Sequence, residues 1–524
     1  MKKDMKTQAS DYKISALESR INELEILVKF YEEQLRLSKK RQFDPSSEKS
    51  EYDQLRLDQM EELEIIDLDE GHEPPDIEVV KEHYRKKRPK QERLPENLPV
   101  EEILCELPIE ERACPDCGNE SHVMGRESRE ELVVIPAKVM IRRYVTCTYA
   151  CRECAKRSDR VPIRKASAPV PVIKGSFASP ESVAWAAHQK FTMGVPLYRQ
   201  EQEWQRQGVL LSRQTMANWL ISVAEQWLQP ITDEMKRRLL ARKVLHADET
   251  TFQVLREPGK SPRSKSYLWV YRTSGDTDEP IVLAEYKPDR KTCNPSTFLA
   301  GFSGYLHTDG YDVYHKLPPE IVVVGCWAHV RRKWDEALKV VPKANREGCD
   351  AMRGKRYCDE LFSIERKLAE LDAEERHKKR AEQLEPLMES FFVWASGINA
   401  RPKSAIGAAG TYMFSQKKYL RNVLLDGRLE LSNNRVERTI RPFVMSRKNF
   451  LFANTPRGAH AASILFSLIE TAKETGVDPL QYLTYVFKTA PNVDISDSEN
   501  LSTLLPSGYK KLALKEAPLP CDTM

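Results

Sequence analysis

The stretch from 242 to 340 limits the fold more than any other part of this 524-residue chain. Val244-Leu245-His246-Ala247-Asp248-Glu249-Thr250 is an apolar run ending in carboxylates. Tyr267–Tyr271 and Ile281–Ala284 follow at hairpin spacing, then Gly304–Gly310, then Ile321–Gly325, with a helical pattern over Trp327–Val340. Five β-runs flanked by helices predict a mixed α/β sheet. Two of the runs carry the same pattern, Leu-His-x-Asp, at Leu245–Asp248 and Leu306–Asp309. Period-two alternation puts His246 on the face of Asp248, and His307 on the face of Asp309. If the two strands are neighbours, their aspartates converge at one sheet edge. Close carboxylates repel unless a divalent cation lies between them, and a hard, oxygen-ligated cation suits phosphate chemistry. Taken singly, each Asp reads as a cap on a strand-to-loop turn; the pair, with Glu437 added, favours the metal. His246 and His307 read as supporting residues rather than acid–base catalysts.

Glu437 enters through charge. The whole chain has 82 Lys+Arg against 78 Asp+Glu, a net +4, which excludes a histone-like polycation. That near-neutral sum hides segregation. Residues 51–80 hold twelve acids and one base, Arg56, whereas 81–100 hold seven Lys/Arg against three acids. The window Leu431–His460 contains Arg435, Arg438, Arg441, Arg447, Lys448 and Arg457 around the single acid Glu437. Such a lone carboxylate reads either as a surface ion pair or as a metal ligand beside a phosphate track. The longest apolar run, Ile321–Val330, is too short to span a bilayer, so no membrane segment is expected. The N-terminal Met-Lys-Lys-Asp-Met-Lys leads into polar residues, so no signal peptide is expected either.

Eleven cysteines, an odd number in a large chain, argue for reduced thiols. Cys114/Cys117 and Cys151/Cys154 form two Cys-x-x-Cys pairs, which predict a tetrahedral four-thiolate zinc site within 101–165. Cys105, Cys147 and His122 remain spare candidates for that ligand set. Upstream, Ile14, Leu17, Ile21, Leu24, Val28, Tyr31 and Leu35 step by 3 and 4 alternately. This is a heptad seam, read as a self-associating coiled coil or as a helix packing on its own domain. Between Leu197 and Trp219, a helix, a Gly208 break and a second helix capped by Ser212 have the outline of a helix-turn-helix, or of an ordinary αα-hairpin.

Several of these segments carry a resemblance. His246-Ala247-Asp248-Glu249-Thr250, Thr308-Asp309-Gly310-Tyr311, Gly325–Lys333, Asn433–Pro442, Ser446–Phe452, Ser467–Lys473 and Gly476–Pro479 resemble core motifs of the insertion-sequence-66 family of bacterial transposases. The likeness extends to Ser47-Glu48-Lys49, the cysteine segment and the closing Leu504-Leu505-Pro506. The chain departs from the family's pattern at Ser432, where Asp is usual, in a missing glycine near Phe43, and in the extra Cys147.

That family is similar to the DDE transposases, and the resemblance implies an RNase H-like core binding two Mg²⁺, with Mn²⁺ as a substitute. Carried over by motif, the triad is Asp248, Asp309 and Glu437. The first gap is 309 − 248 = 61 residues and the second is 437 − 309 = 128, longer by a helical insertion over 346–428. The resemblance makes Arg435, Arg438, Arg441, Arg447, Lys448, Arg331 and Arg332 DNA-binding candidates, with Ser212 and Thr215 on the helical module. Cys326 and His329 form a Cys-x-x-His pair expected to support the active site, two ligands short of an isolated zinc site. The implied architecture is multidomain α/β. A coiled coil (1–40), a linker (41–100), a zinc module (101–165) and a helix-turn-helix-like domain (175–238) precede the core. The core runs over 239–345 and 429–490, interrupted by the insertion and followed by a tail (491–524). The expected function is cleavage and strand transfer at an insertion sequence's inverted repeats. The expected protein is a homo-oligomer, most simply a dimer, in the bacterial cytoplasm at the nucleoid, with two small accessory proteins of the same element as further partners. The alternatives are a non-catalytic zinc and helix-turn-helix regulator, or a structure-specific nuclease on the same core.

Overall fold

A computed structural model of the chain describes residues 139–150 and 163–516, with helical positions Val28, Tyr31 and Glu32. Cys114, Cys117, Cys151 and Cys154 lie outside the described residues, as does most of the heptad seam, whose Val28 and Tyr31 are helical and exposed. The chain divides into two compact units, 55–168 and 1–54 with 169–524. In the smaller unit, β1 (Thr148–Ala150) pairs antiparallel with β2 (Ile163–Lys165), and Ala166 N–H donates to Cys147 O at 3.0 Å. This hairpin brackets the second cysteine pair in sequence.

The larger unit begins with α1 (Pro180–Phe191), α2 (Leu197–Arg206), α3 (Arg213–Val223) and α4 (Gln229–Leu240). Ser179 closes a capping box at α1, and Ser212 caps α3 by accepting from Thr215 N–H. The sheet then forms from β3 (Val244–Thr251), β4 (Tyr267–Thr273), β5 (Val282–Lys287), β6 (Gly304–His307) and β7 (Ile321–Val324). Its spatial order is β5-β4-β3-β6-β7. The first three strands are a meander, while β6 and β7 run parallel to β3. The short helix α5 (Cys293–Phe298) precedes β6. Gly304 opens β6 where a Cβ would lie 2.4 Å from Lys243 O, so only glycine allows β6 to start beside β3.

After β7 come α6 (Trp327–Val340) and the insertion helices α7 (Asp350–Lys367), α8 (Ala373–Lys379), α9 (Glu385–Ser396) and α10 (Ala405–Arg421). The chain returns through α11 (Asn434–Phe450) and α12 (Pro456–Thr475), and ends in α13 (Pro479–Thr489), α14 (Ser498–Leu504) and α15 (Pro506–Glu516).

Two large apolar clusters organise this unit. One joins β3–β6 to helices on both sides of them in sequence, from Val183 and Trp219 to Phe443, Phe466 and Tyr482. The 175–238 segment therefore packs into the same core as the sheet. The other cluster sets Trp327 and Trp334 of α6 against Phe391, Phe392 and Met413 of the insertion. Each such fully buried side chain contributes about 1.5–3 kcal/mol of transfer free energy. The outer edge of β5 is closed by a helix: Val282 N–H donates to Thr471 Oγ1 (2.9 Å) and Ala284 N–H to Ser467 Oγ (2.8 Å). One turn apart on α12, these hydroxyls satisfy an edge that would otherwise invite another strand. Among the described residues, no helix is long and apolar enough to cross a membrane.

Candidate active site

The two Leu-His-x-Asp motifs lie side by side in register. Leu245 pairs with Leu306 and His246 with His307 on parallel β3 and β6. Asp248 and Asp309, each two residues beyond its histidine, follow the last β3–β6 pair: Asp248 inside β3, opposite Val270 of β4, and Asp309 two residues past the end of β6. Both strands are inner strands of the sheet rather than edge strands. Beneath them the two imidazoles stack, centroids 4.4 Å apart and planes 13° off parallel. Both rings are fully buried, and burial lowers His246 to about 4 and His307 well below its usual value, so both are neutral.

Glu437 reaches the same place from the first turn of α11. The helix buries Val436, Ile440 and Phe443, and that stripe turns Glu437 inward at its margin. Asn433 joins this helix start to the sheet. Its Nδ2 donates to Ala247 O (3.0 Å), leaving Oδ1 to accept from His246 Nδ1 (2.9 Å). Its backbone N–H donates to Cys326 Sγ (3.1 Å). Arg272, buried in β4, adds a second clamp by donating to both oxygens of Glu474 on α12 (2.8 and 2.9 Å) and to Thr439 Oγ1 on α11 (2.5 Å).

The result is a cluster of acids, Asp248, Glu249 and Asp309 half-buried and Glu437 buried. Asp248 is raised well above the carboxylate range, first by burial and then by Glu249, Asp309 and Glu437. Asp309 is raised by burial despite the Tyr311 N–H (2.9 Å) and the charges of Arg290 and Arg332. Glu249 and Glu437 are each pushed up to about 7, burial being the largest cause in both. Glu249 has its own partners: Arg290 Nε donates to Oε1 and Tyr314 Oη to Oε2, each at 2.6 Å. Glu437 is 5% exposed and no hydrogen bond reaches either of its oxygens. Arg332 lies 3.8 Å from it, and the charge of Arg438 also acts on it. A buried carboxylate without a donor is costly in isolation and well suited to a cation. Asp309 and Glu437 lie close enough to Asp248 for their charges to raise it, and carboxylate oxygens are the donors that hard divalent ions take. Gly310, next to Asp309, has Tyr412 of α10 so close that a Cβ would sit 2.8 Å from its ring, so the insertion packs against this loop.

Glu437 also faces a second donor pair. Cys326, His329 and Glu437 each offer a ligand atom within 4.8 Å of the other two, and His329 Nε2 lies 3.7 Å from Glu437 Oε1. The Cys-x-x-His pair therefore acquires a third donor.

The cations expected to bind DNA separate into groups. Arg435 donates to Glu430 (2.6 Å), Arg447 to the carbonyl and hydroxyl of Thr251, and Arg331 to Asp359 on α7. Arg332 faces Glu437. Arg438 and Lys448 are exposed on α11, and Arg441 is half-buried. The hydroxyls of Ser212 and Thr215 bond each other at 2.9 Å as part of the α3 cap. Sequence reasoning gave no role to Asn433, Glu249, Arg290, Tyr314 or Arg272. Glu249 and Asn433 stood inside quoted motifs, so adjacency to Asp248 and to the Glu437 helix was the available signal. Arg272 and Tyr314 had none.

Four family models match the chain. Residues 175–461 match the Transposase IS66 family, and 111–155 the zinc-finger binding domain of transposase IS66. Residues 31–103 match a model described as Transposase C of IS166 homeodomain, and 467–507 the IS66 C-terminal element. Among curated proteins, the uncharacterized protein y4qI of Sinorhizobium fredii (strain NBRC 101917 / NGR234) is 33% identical over 393 residues, 72% of this chain and 70% of the relative. From the same strain, the uncharacterized protein y4jD is 28% identical over 431 residues, covering 80% and 81% of the two chains.

Proposed function

The chain belongs to the IS66 family of transposases, and from that premise we propose that Asp248, Asp309 and Glu437 are its catalytic triad on an RNase H-like core. The observation that carries the reading is the electrostatic coupling of three carboxylates, Asp248 within β3, Asp309 just past β6 and the buried Glu437 in the first turn of α11, with both oxygens of Glu437 lacking a donor. These residues would hold two Mg²⁺ ions, or Mn²⁺ in their place. When bound, the ions supply the Lewis acidity that activates a water or a DNA 3′-hydroxyl and steadies the leaving oxygen.

The chain's own residues do the rest. Asn433 and Arg272 fix the start of α11 against the sheet, so that Glu437 stays aligned with the aspartates. The neutral His246–His307 stack fills the space beneath them with no competing charge. Arg290 and Tyr314 hold Glu249 back from Asp248. Arg438 and Lys448, exposed on the same helix as Glu437, contact phosphates of the bound strand, with Arg441 beside them. No side chain is required as a covalent nucleophile. The cysteine segment, with Cys114, Cys117, Cys151 and Cys154 as zinc ligands, and the α2–α3 pair read the terminal repeats. The heptad seam pairs two copies, and the element's two small accessory proteins join the assembly in the bacterial cytoplasm.

The test uses purified full-length protein and DNA bearing the element's ends. In Mg²⁺ the parent cleaves those ends and joins them to target DNA, and Asp248→Asn, Asp309→Asn and Glu437→Gln each abolish both steps. Variants that cleave like the parent would refute the triad. Parent protein that binds without ever nicking would identify a regulator, and efficient cutting of DNA without terminal repeats would identify a structure-specific nuclease.

A further inference from the structure

Glu437 stands between two donor sets of different chemical character. Asp248 and Asp309 are oxygen donors; Cys326 and His329 offer sulfur and nitrogen. Thiolate and imidazole suit Zn²⁺ and its neighbours in the transition series, whereas Mg²⁺ takes oxygen. The geometry on the sulfur–nitrogen side is close to what such an ion needs. Zinc bonds of ~2.0–2.3 Å place neighbouring ligand atoms of a tetrahedron roughly 3.3–3.8 Å apart. His329 Nε2 and Glu437 Oε1 are already at 3.7 Å, and all three donors fall within 4.8 Å of one another.

The main chain holds this spacing. Cys326 and His329 occupy the N-cap and the third position of α6, so one turn presents both. The segment leading into α11 runs beside that turn: Trp327 N–H donates to Leu431 O (3.0 Å) and Asn433 N–H to Cys326 Sγ (3.1 Å). Gly325 N–H is tied to Tyr419 O of α10 (3.0 Å). A backbone N–H aimed at sulfur is the outer-layer support that a ligating thiolate requires. Cys326 is buried, and Glu437 has no hydrogen bond to satisfy it. One thiolate and one carboxylate balance the charge of a divalent ion, and three protein ligands leave a fourth position open.

We infer that Cys326, His329 and Glu437 form a separate site for Zn²⁺-class ions, and that its occupation withdraws Glu437 from Asp248 and Asp309. The site stands on its own geometry; the withdrawal rests on the proposed role of Glu437 as a ligand of the catalytic ions. Zinc at this site and Mg²⁺ at the triad then compete for one carboxylate, which makes zinc an inhibitor of the chemistry even though the cysteine segment needs it.

The experiment titrates Co²⁺, then Zn²⁺, into full-length metal-stripped protein. Wild type should bind in two phases, one from the cysteine segment and one from this site, and hold one metal ion per chain more than Cys326→Ser or His329→Gln. The wild-type minus Cys326→Ser difference spectrum should contain a sulfur-to-cobalt charge-transfer band. A single phase in wild type, a measurement that needs no variant to fold, overturns the site, as does equal stoichiometry in folded variants. The second arm adds Zn²⁺ to Mg²⁺-driven cleavage. Inhibition of wild type should weaken at least tenfold in Cys326→Ser; equal inhibition overturns the withdrawal. Absence of all Mg²⁺-driven cleavage would instead refute the proposed triad, and the metal count would still decide the site.

Discussion

Two buried charged groups in the larger unit show opposite designs. Arg380, in the insertion, is 0% exposed and fully engaged. Its guanidinium donates to both oxygens of Glu365 and to the carbonyls of Val423 (3.1 Å), Asp426 (3.0 Å) and Leu429 (2.6 Å). Glu437, 5% exposed on α11, receives no hydrogen bond at all. Taking a charge out of water is costly, and Arg380 offsets that cost with a matched carboxylate and oriented dipoles. No such donors surround Glu437, whose neighbours include two aspartates, the Cys326 thiol, an imidazole, an arginine at 3.8 Å and the charge of Arg438. Burial with partners holds a fold together. Burial without them keeps a ligand ready for an ion.

The sharpest way to break this contrast is to neutralise both groups. Glu437→Gln should abolish Mg²⁺-dependent cleavage of element ends, a loss on the order of 10³-fold or more, while leaving the unfolding midpoint equal or higher. Arg380→Met should do the reverse. Leaving Glu365 and three carbonyls unpartnered costs about 3–5 kcal/mol, with cleavage per folded molecule within ~3-fold of the parent. Thermal unfolding beside a gel assay reads both. A stable, active Arg380→Met protein, or a destabilised Glu437→Gln protein, would collapse the distinction.

The sheet half of this contrast was legible in the sequence because strand registers are short-range. The two Leu-His-x-Asp runs do pair in register as parallel neighbours, and apolar runs marked β3–β7 to within three residues at either end. Glu437 was legible as a lone acid in a basic window, and Ser212 as a cap. What was not legible depends on contacts across long separations. Arg447 and Arg435 look like phosphate binders in one dimension, yet their guanidinium groups meet Thr251 and Glu430. Arg331 finds Asp359 only because α6 and α7 pack together. The third donor for Cys326 and His329 arrives from a helix beyond the whole insertion, so a two-ligand motif was all that local spacing could display.

The acids raised by burial also predict how stability responds to pH. Glu437 and Glu249 have folded pKa values raised to about 7, and Asp248 and Asp309 are raised as well. For an acid whose pKa rises on folding, the stabilising contribution is complete below its unfolded value and is lost as pH climbs through the folded one. Without Mg²⁺, stability should therefore fall between pH ~5 and ~8. The share of Glu437 is at most about 3.5 kcal/mol, from (7 − 4.5) × ~1.4. Mg²⁺ binding to the ionised carboxylates should restore it, so the rise in unfolding temperature on adding Mg²⁺ should be large at pH 8, small at pH 5, and reduced in Glu437→Gln. An equal Mg²⁺ increment at both pH values would show that these acids do not bind the ion.

The smallest expected effect probes the residue that belongs to both designs. Asn433 is completely buried and bonded like Arg380, but its bonds determine where Glu437 stands. Asn433→Ala strands His246 Nδ1 and Ala247 O, a cost of about 1–3 kcal/mol. It also releases the first turn of α11 from β3, the strand that carries Asp248. A purely structural residue would lower the unfolding temperature and leave the Mg²⁺ dependence of cleavage alone. A positioning residue would in addition raise the Mg²⁺ concentration needed for half-maximal cleavage, because a misplaced carboxylate binds the ion less well. Asn433→Asp keeps one acceptor for His246 Nδ1 but loses the donor to Ala247 O, so its Mg²⁺ requirement should fall between parent and alanine variant. If all three proteins share one Mg²⁺ curve, Asn433 serves the fold alone, and Glu437 owes its alignment to Arg272 and the packing of Val436, Ile440 and Phe443.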